Sequence, residues 1–390
     1  MTYNFDEIIN RAGTDSMKVD MADKFCNAVD AIPMWVADMD FKTPPFVTDT
    51  IRKRLEHGIL GYTVRNASYY EAICRWNKEE YGVDITPEMI SYVPGVVCGI
   101  SMCELALTEK GDKILIMDPV YHPFKFVAET NQREIVTNHL VRNSELFEID
   151  FDALEKDIQG CKLLILCNPH NPGGVCWTKE DLIRIADIAA AAGTIVVSDE
   201  IHCDMLFGER KHIPFASVSE TAKNNCVTLQ APTKTFNLPG VVASQAIVYN
   251  PEIREKLFGY IEGTDMDLGN VFAAECVKAC YSDEGREWKK QMLEYVDSNI
   301  DLLIERLAAE CPKIKVMRPQ ASFLVFLDCR EMGMSQKELV DFFGKKAHVA
   351  MNSGTIFGPG GEGYMRLNAA CTRATMNKVL DQFRDAYKAL

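Results

Sequence analysis

The chain of 390 residues is too long for one simple hydrophobic core, so we expect two domains. Its residues are 47% hydrophobic and 25% charged, a composition typical of a well-packed globular protein that excludes the disordered class. The formal net charge of -14 argues against a nucleic-acid partner, because phosphate backbones are bound by a basic face.

The fourteen cysteines are scattered along the sequence and form no C-x-x-C pair. Cys276 and Cys280 have the spacing of neighbours on one helix face, which favours packing over a zinc site. We therefore predict buried thiols in a reducing compartment, and no metal. Residues 1–20 lack the apolar stretch of a signal peptide, and no apolar run approaches the length of a membrane span. These features predict a cytoplasmic protein with no membrane partner.

The N-terminal segment, residues 1–30, is polar and weakly patterned, and we expect it to wrap over the rest of the chain. The stretch Pro33-Met34-Trp35-Val36-Ala37-Asp38-Met39-Asp40-Phe41 places a tryptophan beside alternating carboxylates. From the residues alone, a short edge strand with a turn is the simplest interpretation. Two helices are predicted next, Pro44 to His57 and Asn66 to Tyr81, because a proline opens the first and a glycine follows each.

The run Pro94-Gly95-Val96-Val97 predicts the start of another helix, which ends near Glu109. A glycine at a helix start lets backbone N–H groups point at an anion, helped by the helix dipole. A plain turn is an equally good interpretation of these residues.

Apolar runs then alternate with helical patterns. The predicted strands are Lys113–Asp118, Leu163–Cys167, Thr194–Ser198, Cys226–Leu229 and Ala243–Tyr249. A helix between the second and third begins at Thr178, where Asp181 completes a capping box. The alternation predicts an α/β domain with a mostly parallel sheet. Ligands bind at the carboxyl ends of such strands, where Tyr121, the loop Asn168–Gly174 and Asp199 follow.

Lys234 lies in the polar stretch between the last two of these strands. A lysine held at a strand–loop junction can lie inside a cleft, where burial lowers its pKa and makes it a usable amine nucleophile. A solvated surface lysine is the alternative, and it is the commoner fate of a single lysine.

From Ser282 the pattern changes to that of a smaller α+β domain. A long helix that Pro312 ends has an apolar face made of Leu293, Val296, Ile300, Leu303 and Leu307. Further predicted elements are strands at 313–317 and 323–327, a helix at 335–343, a strand at 364–368 and a last helix from Thr372. We predict an N-terminal segment, 1–45, that packs with the small domain, a large domain, 46–284, and a small C-terminal domain, 285–390.

Four motifs occur together in this order: Asn168-Pro169-His170-Asn171-Pro172-Gly173-Gly174, Ser198-Asp199-Glu200-Ile201-His202, the Lys234 stretch, and Arg366. Over nearly the whole chain, this set resembles that of fold-type I pyridoxal-phosphate (PLP) enzymes, the aminotransferase superfamily. The sequences of residues 35–41, of Lys234-Thr235-Phe236-Asn237 and of Met365-Arg366-Leu367-Asn368 resemble those of the MalY/PatB-type cystathionine β-lyases, also called cysteine-S-conjugate β-lyases. The resemblance implies PLP as the cofactor and an amino acid as the small-molecule substrate.

The resemblance implies catalytic roles for three residues. Lys234 resembles the Schiff-base lysine that holds PLP and then removes the substrate Cα proton. Asp199 resembles the carboxylate that keeps the pyridine nitrogen protonated, although a helix cap is the plain alternative. Tyr121 would stack on the ring face opposite the lysine. Asn171 would hydrogen-bond the phenolic oxygen of the ring, and His202 would lie near the same oxygen.

The phosphate of PLP is implied to bind the backbone N–H groups of Val96 and Val97 and the hydroxyl of Thr233. Tyr62 resembles the residue that reaches the phosphate from the neighbouring subunit, which implies a homodimer with shared active sites. Many aminotransferases also place a serine and an arginine on the phosphate, but this chain has Ala231 and Val242 there. The phosphate would thus have one positive partner fewer.

Arg366 resembles the arginine that grips the substrate carboxylate in a bidentate pair. An arginine that bridges two domains is the alternative. Tyr62 and Trp35 complete the implied substrate site. The run Cys371-Thr372-Arg373 stands where the subfamily often has Cys-Pro-Arg, and we expect only a local effect on the helix start.

Three functions compete. The first is β-elimination of a thiol from cystathionine or another S-substituted cysteine, which yields pyruvate and ammonia. The second is transamination on the same scaffold, and the third is a regulatory role in which the chain binds another protein. The similarity of these short sequence runs to those of the β-lyase subfamily favours the lyase. The intact set of Lys234, Asp199, Asn171 and Arg366 argues against a purely regulatory protein.

Overall fold

A computed structural model describes residues 2–143 and 145–390, so that Met1, where the predicted N-terminal segment begins, lies outside the described residues. The strands are β1 Ile32–Pro33, β2 Ile90–Val93, β3 Lys113–Asp118, β4 Glu134–His139, β5 Val141–Arg142, β6 Phe147–Glu148, β7 Cys161–Cys167, β8 Ile195–Asp199, β9 Cys226–Gln230, β10 Ser244–Ile247, β11 Lys315–Met317, β12 Leu324–Asp328, β13 Val349–Ala350, β14 Asn352–Ser353 and β15 Tyr364–Asn368.

The helices connect these strands and cover their sheets. They are α1 Met17–Asp20, α2 Ala22–Cys26, α3 Pro45–Glu56, α4 Ala67–Tyr81, α5 Val96–Leu107, α6 Pro123–Thr130, α7 Phe151–Asp157, α8 Lys179–Ala191, α9 Glu220–Asn224, α10 Pro251–Gly263, α11 Ala273–Cys280, α12 Asp283–Glu310, α13 Gln336–Asp341 and α14 Arg373–Lys388.

The large sheet has the strand order β2-β10-β9-β8-β7-β3-β4. Its strands β9, β8, β7, β3 and β4 run parallel, whereas β10 is antiparallel to its neighbours β2 and β9. Alternate residues of β7 pack on opposite faces, with Leu163 and Ile165 against α5 and α10, and Leu164 and Leu166 against α8. Burial on both faces explains the continuous apolar sequences of the central strands. The predicted α/β fold with a mostly parallel sheet is confirmed.

The second sheet is antiparallel, with the order β11-β12-β15-β14. The apolar faces of α12 and α14 pack against it in one core that also contains Val325 and Leu367. Helix α12 ends at Glu310, two residues before the proline predicted to stop it. In the register of this sheet, Arg366 on β15 lies opposite Phe326 on β12 and Asn352 on β14.

The N-terminal segment is fastened to the C-terminal part of the chain. Strand β1 pairs in parallel with β13, and Trp35 packs with side chains of α2 and with Ala350. Lys18 is fully buried, with its ammonium nitrogen 2.7 Å from Asp40 Oδ1. Residues 35–41, which we call the strap, follow β1 as an irregular segment. The domain boundaries after residues 45 and 284 stay a prediction.

Local signals placed several helix ends correctly. The capping box of Thr178 and Asp181 is present at the start of α8. The helix predicted at 335–343 ends as an α-helix at Asp341 and continues as a wider π turn, Phe342–Lys346. The sequence analysis did not predict strands β2, β4, β5, β6, β13 and β14 or helices α1, α2, α6, α7, α9, α10 and α11, since they are short or begin in polar stretches whose pattern is weak.

No helix within the described ranges is long and apolar enough to cross a membrane. All fourteen cysteines are free thiols, and eleven are buried, which confirms the prediction that most of them serve packing. Cys98 is the exposed one.

Helix α5 contains a buried acid, Glu104, that forms no ion pair with any side chain in the described part of the chain. Its Oε2 atom accepts a hydrogen bond of 2.7 Å from Asn131 Nδ2, and its Oε1 atom has no hydrogen-bond partner among the described residues. Burial raises the pKa of Glu104 to about 7, although the Asn131 hydrogen bond and the charge of Arg133 oppose the rise. The folded state therefore holds this proton at a pH where the unfolded chain has already lost it.

We expect Glu104→Gln to change how stability depends on pH. Because the folded-state pKa is raised, the stability that the protonated acid contributes is present at acidic pH and is lost as the pH rises through about 7. The wild type should therefore lose, relative to Glu104→Gln, on the order of 1 kcal/mol or more in free energy of unfolding between pH 5 and pH 8. Chemical denaturation at both pH values measures this. The exposed neighbour Glu109 supplies the control, Glu109→Gln, and an equal response of the two variants would contradict the prediction.

Candidate active site

Lys234 lies just beyond the carboxyl end of β9 and lines a cavity of about 220 Å³. Its Nζ atom donates a hydrogen bond of 2.8 Å to the carbonyl oxygen of Ala37 in the strap. Burial, together with the charge of Arg366, lowers the pKa of Lys234 to about 8, although Asp38 and Asp199 act to raise it. The lysine is thus a half-buried amine with a neutral fraction near neutral pH.

Asp199 is the last residue of β8 and lines the same cavity. Its carboxylate accepts a hydrogen bond of 3.0 Å from the Ile201 N–H. Burial raises the pKa of Asp199 to about 7, and the neighbouring Glu200 adds to the rise. Glu200 itself is turned away from the cavity, because it pairs with His212 at 2.8 Å. Asp199 is therefore a carboxylate whose charge a cationic ligand in the cavity would stabilise.

The loop after β7 places Asn171 in the cavity wall. The Asn171 N–H donates to Cys167 Sγ at 3.3 Å, and its side-chain oxygen accepts from Arg366. Gly174 ends the loop with a φ of +68°, and a Cβ atom there would lie 2.8 Å from the backbone of Pro319. The glycine therefore permits a close approach between this loop and the chain that leads into β12.

Tyr121 and His202 complete the part of the wall that faces Asp199. Burial raises the pKa of the Tyr121 hydroxyl, so it stays protonated. Burial, with the charges of Lys234 and Arg366, lowers the pKa of His202 to about 3, so its imidazole is neutral. The His202 Nδ1 atom has no hydrogen-bond partner in the residues that the structure describes.

The opposite end of the cavity is formed by the first turn of α5 and by Thr233. Gly95 caps the helix with a φ of +109°, and no side chain caps the N–H groups that follow. Val96 and Val97 thus present backbone N–H groups without intrahelical partners to the cavity. This arrangement suits an anion such as a phosphate.

Arg366 is 4% exposed, and all its hydrogen bonds in the described chain go to neutral oxygens. Nη1 donates to Asn171 Oδ1 at 3.1 Å, and Nη2 donates to Asn352 Oδ1 at 2.7 Å and to the Trp35 carbonyl at 3.1 Å. Its Nε atom is buried without a partner in that same set of residues. Burial lowers the pKa of Arg366 to about 10. Such a guanidinium can bind a ligand carboxylate.

Three residues of the predicted site lie outside the cavity wall: Arg366, which borders the cavity through its hydrogen bond to Asn171, and Trp35 and Tyr62. The Trp35 indole stacks on Phe25 at 5.2 Å and donates to the Lys18 carbonyl at 2.8 Å, so Trp35 meets the site through its own carbonyl oxygen. Tyr62 is 98% exposed and is not brought to this cavity by its own chain. Their roles as substrate contacts stay predictions.

The residues present fit PLP. The uncapped first turn of α5 suits its phosphate, and the buried Asp199 suits a protonated ring nitrogen. The amine of Lys234 lies in the same cavity for the aldehyde group, and the flat ring of Tyr121 lines it. Arg366, without a carboxylate among its described contacts, borders the cavity through Asn171.

Sequence reasoning missed several residues of the site. The Ala37 carbonyl bonded to Lys234 carries no side-chain signal, and Asn352 lies on a strand of two residues. Cys98 and Ser244 also line the cavity. The only sequence signal for Ser244 is its place at the start of β10, beside the strand that leads to Lys234.

Comparisons with known proteins agree with this geometry. The family model for aminotransferase class I and II matches residues 30–383. The chain is 40% identical to cystathionine beta-lyase PatB of Bacillus subtilis, over 98% of this chain and 99% of PatB. A PLP-bound structure from Clostridium difficile 630, described as a candidate aminotransferase, has a TM-score of 0.96 at 38% identity, covering 99% of this chain and 100% of that one. A PLP-bound C-S lyase from Staphylococcus hominis has a TM-score of 0.92 at 34% identity, covering 99% and 98%.

Proposed function

The chain belongs to the aminotransferase class I and II family, and from this premise we propose that it is a PLP-dependent carbon–sulfur β-lyase. Its substrate would be cystathionine or another S-substituted L-cysteine, and its products a thiol, pyruvate and ammonia. The observation that carries the proposal is one cavity that holds a half-buried amine, Lys234, and a buried carboxylate, Asp199, next to the unneutralised guanidinium of Arg366. The full-length similarity to PatB favours elimination over transamination.

Arg366 would bind the α-carboxylate of the substrate. Its contacts with Asn171, Asn352 and Trp35 fix the plane of the guanidinium, so the substrate carboxylate would be held in one orientation. This anchor would present the Cα–H bond to the cavity that contains Lys234. A ligand carboxylate would also supply the counter-ion that the protein itself does not provide there.

Lys234 would act as the base that removes the Cα proton. When bound, PLP supplies an aldehyde carbon that links to amines and a ring that withdraws electrons from the substrate Cα. The lowered pKa of Lys234, about 8, keeps enough neutral amine for proton removal near neutral pH. The electrons left on Cα would then form a Cα=Cβ double bond as the Cβ–S bond breaks with its electron pair on sulfur. The Lys234 ammonium would return the proton to the departing thiolate. Water would hydrolyse the imine tautomer of the released enamine to pyruvate and ammonia.

The other residues of the cavity would orient the cofactor. Asp199 would face the ring nitrogen and stay ionised once that nitrogen is protonated, because an opposite charge favours the carboxylate form. Asn171 and the neutral imidazole of His202 would lie near the phenolic oxygen, and Tyr121 would cover the ring face. Val96, Val97 and Thr233 would bind the phosphate.

We also propose a homodimer with shared active sites. The segment that carries Tyr62 exposes four large apolar side chains, Ile59, Leu60, Tyr62 and Val64, between 60% and 98% exposed. An exposed apolar cluster of this kind marks a contact surface. A second copy would cover this segment and receive Tyr62 in its cavity.

The first test is the reaction itself. Full-length protein loaded with PLP should release pyruvate from L-cystathionine without any added keto acid, because elimination needs no amino acceptor. Lys234→Ala should lower this rate by roughly 100- to 10,000-fold, since the base is lost. Coupled reduction of pyruvate measures both. Rapid stoichiometric transamination of alanine, with no pyruvate from cystathionine, would favour the aminotransferase, the second candidate that the Clostridium difficile relative represents.

Arg366→Lys should keep the positive charge but lose the planar guanidinium group that can form two parallel hydrogen bonds to a carboxylate. We expect kcat/KM for cystathionine to fall roughly 10- to 100-fold, because charge-assisted hydrogen bonds to the carboxylate are lost. The absorption spectrum of bound PLP should stay that of the wild type. Arg318→Lys, a surface arginine paired with Asp297 and Asp301, is the matched control. If Arg366→Lys instead lost PLP while kcat/KM per bound PLP stayed unchanged, the residue would be structural.

The shared site can be tested by mixing two defective variants. Lys234→Ala lacks the base, and Tyr62→Ala lacks the group that would cross the interface. In a mixed dimer, one cavity would combine the intact Lys234 of one copy with the intact Tyr62 of the other, so co-expression should restore activity at limiting PLP. Val64→Ala in place of Tyr62→Ala is the control for the same segment. Absence of any restoration in purified mixed dimers would exclude the shared arrangement.

A further inference from the structure

Ser244 is the first residue of β10 and lines the cavity beside Thr233 and the first turn of α5. The residue is 1% exposed, and its Oγ atom is fully buried with no hydrogen-bond partner among the described residues. A buried hydroxyl without a partner is costly, since it has lost its hydrogen bonds to water. A ligand in the cavity can supply the missing partner after rotation of the serine side chain to another staggered position.

The sheet register places Ser244 across from Ala231. Strand β10 pairs antiparallel with β9 through Gln245 opposite Gln230, so the next position along puts Ser244 opposite Ala231. Side chains directly opposite each other in such a ladder point to the same face. Ala231, three residues before Lys234, has no polar side-chain atom. Of this pair of opposite residues, Ser244 is therefore the one that brings a hydroxyl group to the wall.

The wall around this end of the cavity contains no cation. Of the described residues that line the cavity, Lys234 and Asp199 are the charged ones, and neither belongs to the first turn of α5. A phosphate bound at the first turn of α5 would carry close to two negative charges at neutral pH. Its oxygens can be bound here by neutral donors, namely backbone N–H groups and hydroxyls.

The backbone around Ser244 is held in place from outside the cavity. Tyr92 on β2 donates its hydroxyl proton to the Val242 carbonyl at 2.8 Å. The guanidinium of Arg65 lies 4.1 Å from the centroid of the Tyr92 ring. Val242 has a φ of +49°, a conformation that a β-branched residue adopts only under constraint. The turn that leads into β10 is therefore fixed, and Ser244 with it.

We propose that the Ser244 hydroxyl donates a hydrogen bond to the phosphate of PLP. Together with Thr233 and the first turn of α5, it forms a phosphate site built from neutral donors. This inference rests on the cofactor of the proposed function and not on the choice between elimination and transamination.

The test compares PLP with pyridoxal, which has the same ring and aldehyde but no phosphate. Full-length protein is dialysed against graded concentrations of each compound, and the bound amount is measured by absorbance after release in alkali. We expect Ser244→Ala to weaken PLP binding by roughly 10- to 100-fold, because a hydrogen bond to a charged group is lost. Its affinity for pyridoxal should equal that of the wild type. Ser244→Thr should keep most of the PLP affinity.

Thr235→Val is the matched control, because the Thr235 hydroxyl is also buried without a described partner but Thr235 does not line the cavity. This variant should bind PLP like the wild type. Equal PLP affinity of Ser244→Ala and wild type, or an equal loss for PLP and pyridoxal, would overturn the assignment of Ser244. Failure of the wild type to bind PLP at all would overturn the proposed function along with it.

Discussion

The site depends on the buried guanidinium of Arg366, which forms no ion pair with a carboxylate among the residues that the structure describes. Burial of a charge is costly unless it is paired, and Arg366 is compensated within the described chain by three neutral oxygens. Those oxygens come from the loop after β7, from β14 and from the strap, so three separate parts of the chain converge on one side chain. Asp199 is the opposite case, a buried carboxylate whose pKa is raised to about 7 by burial even though the charge of Lys234 lowers it. Under the proposed function, the substrate carboxylate would pair with Arg366 and the protonated ring nitrogen of the cofactor would pair with Asp199.

Close backbone contacts hold the second sheet against the first. Gly360 N–H donates to Asp118 Oδ2 at 3.0 Å, and Val120 N–H donates to the Phe357 carbonyl at 2.8 Å. Gly358 has a φ of +121°, and a Cβ atom there would lie 2.5 Å from Asp118 Oδ2. The glycine-rich turn before β15 is therefore required by this contact. Because Tyr121 follows Val120 directly, the hydrogen bond from Val120 to Phe357 ties the part of the cavity wall that contains Tyr121 to the segment that leads into β15, the strand of Arg366.

The sequence predicts those elements that are determined by interactions between residues close together in the chain. The capping box at Thr178 and the apolar faces of α12 and α14 follow from periodicity and short-range hydrogen bonding, and the structure has them. The positions of Lys234, Asp199 and Asn171 at strand ends also follow, since parallel strands bring their carboxyl ends together. The Ala37 carbonyl, Asn352 and the hydroxyl of Ser244 could not be found in this way. The Ala37 carbonyl reaches Lys234 through a contact between residues that are far apart in the sequence, and the places of Asn352 and Ser244 depend on sheet register, neither of which a local pattern encodes.

The strap is hydrogen-bonded both to the amine of Lys234 and to the guanidinium of Arg366. Trp35 and Ala37, two residues apart, present their carbonyl oxygens to Arg366 and Lys234, respectively. Asn368 holds the strap by donating to the carbonyls of Val36 and Asp38 at 2.7 and 2.6 Å. Two residues of extended backbone span at most about 7 Å, so the two acceptors are close whatever the detailed path of the strap. Under the proposed function, the strap would therefore keep the group that binds the substrate carboxylate and the base that removes the Cα proton near the same ligand. An α-amino acid meets both requirements, because its carboxylate is bonded directly to the carbon that carries this proton.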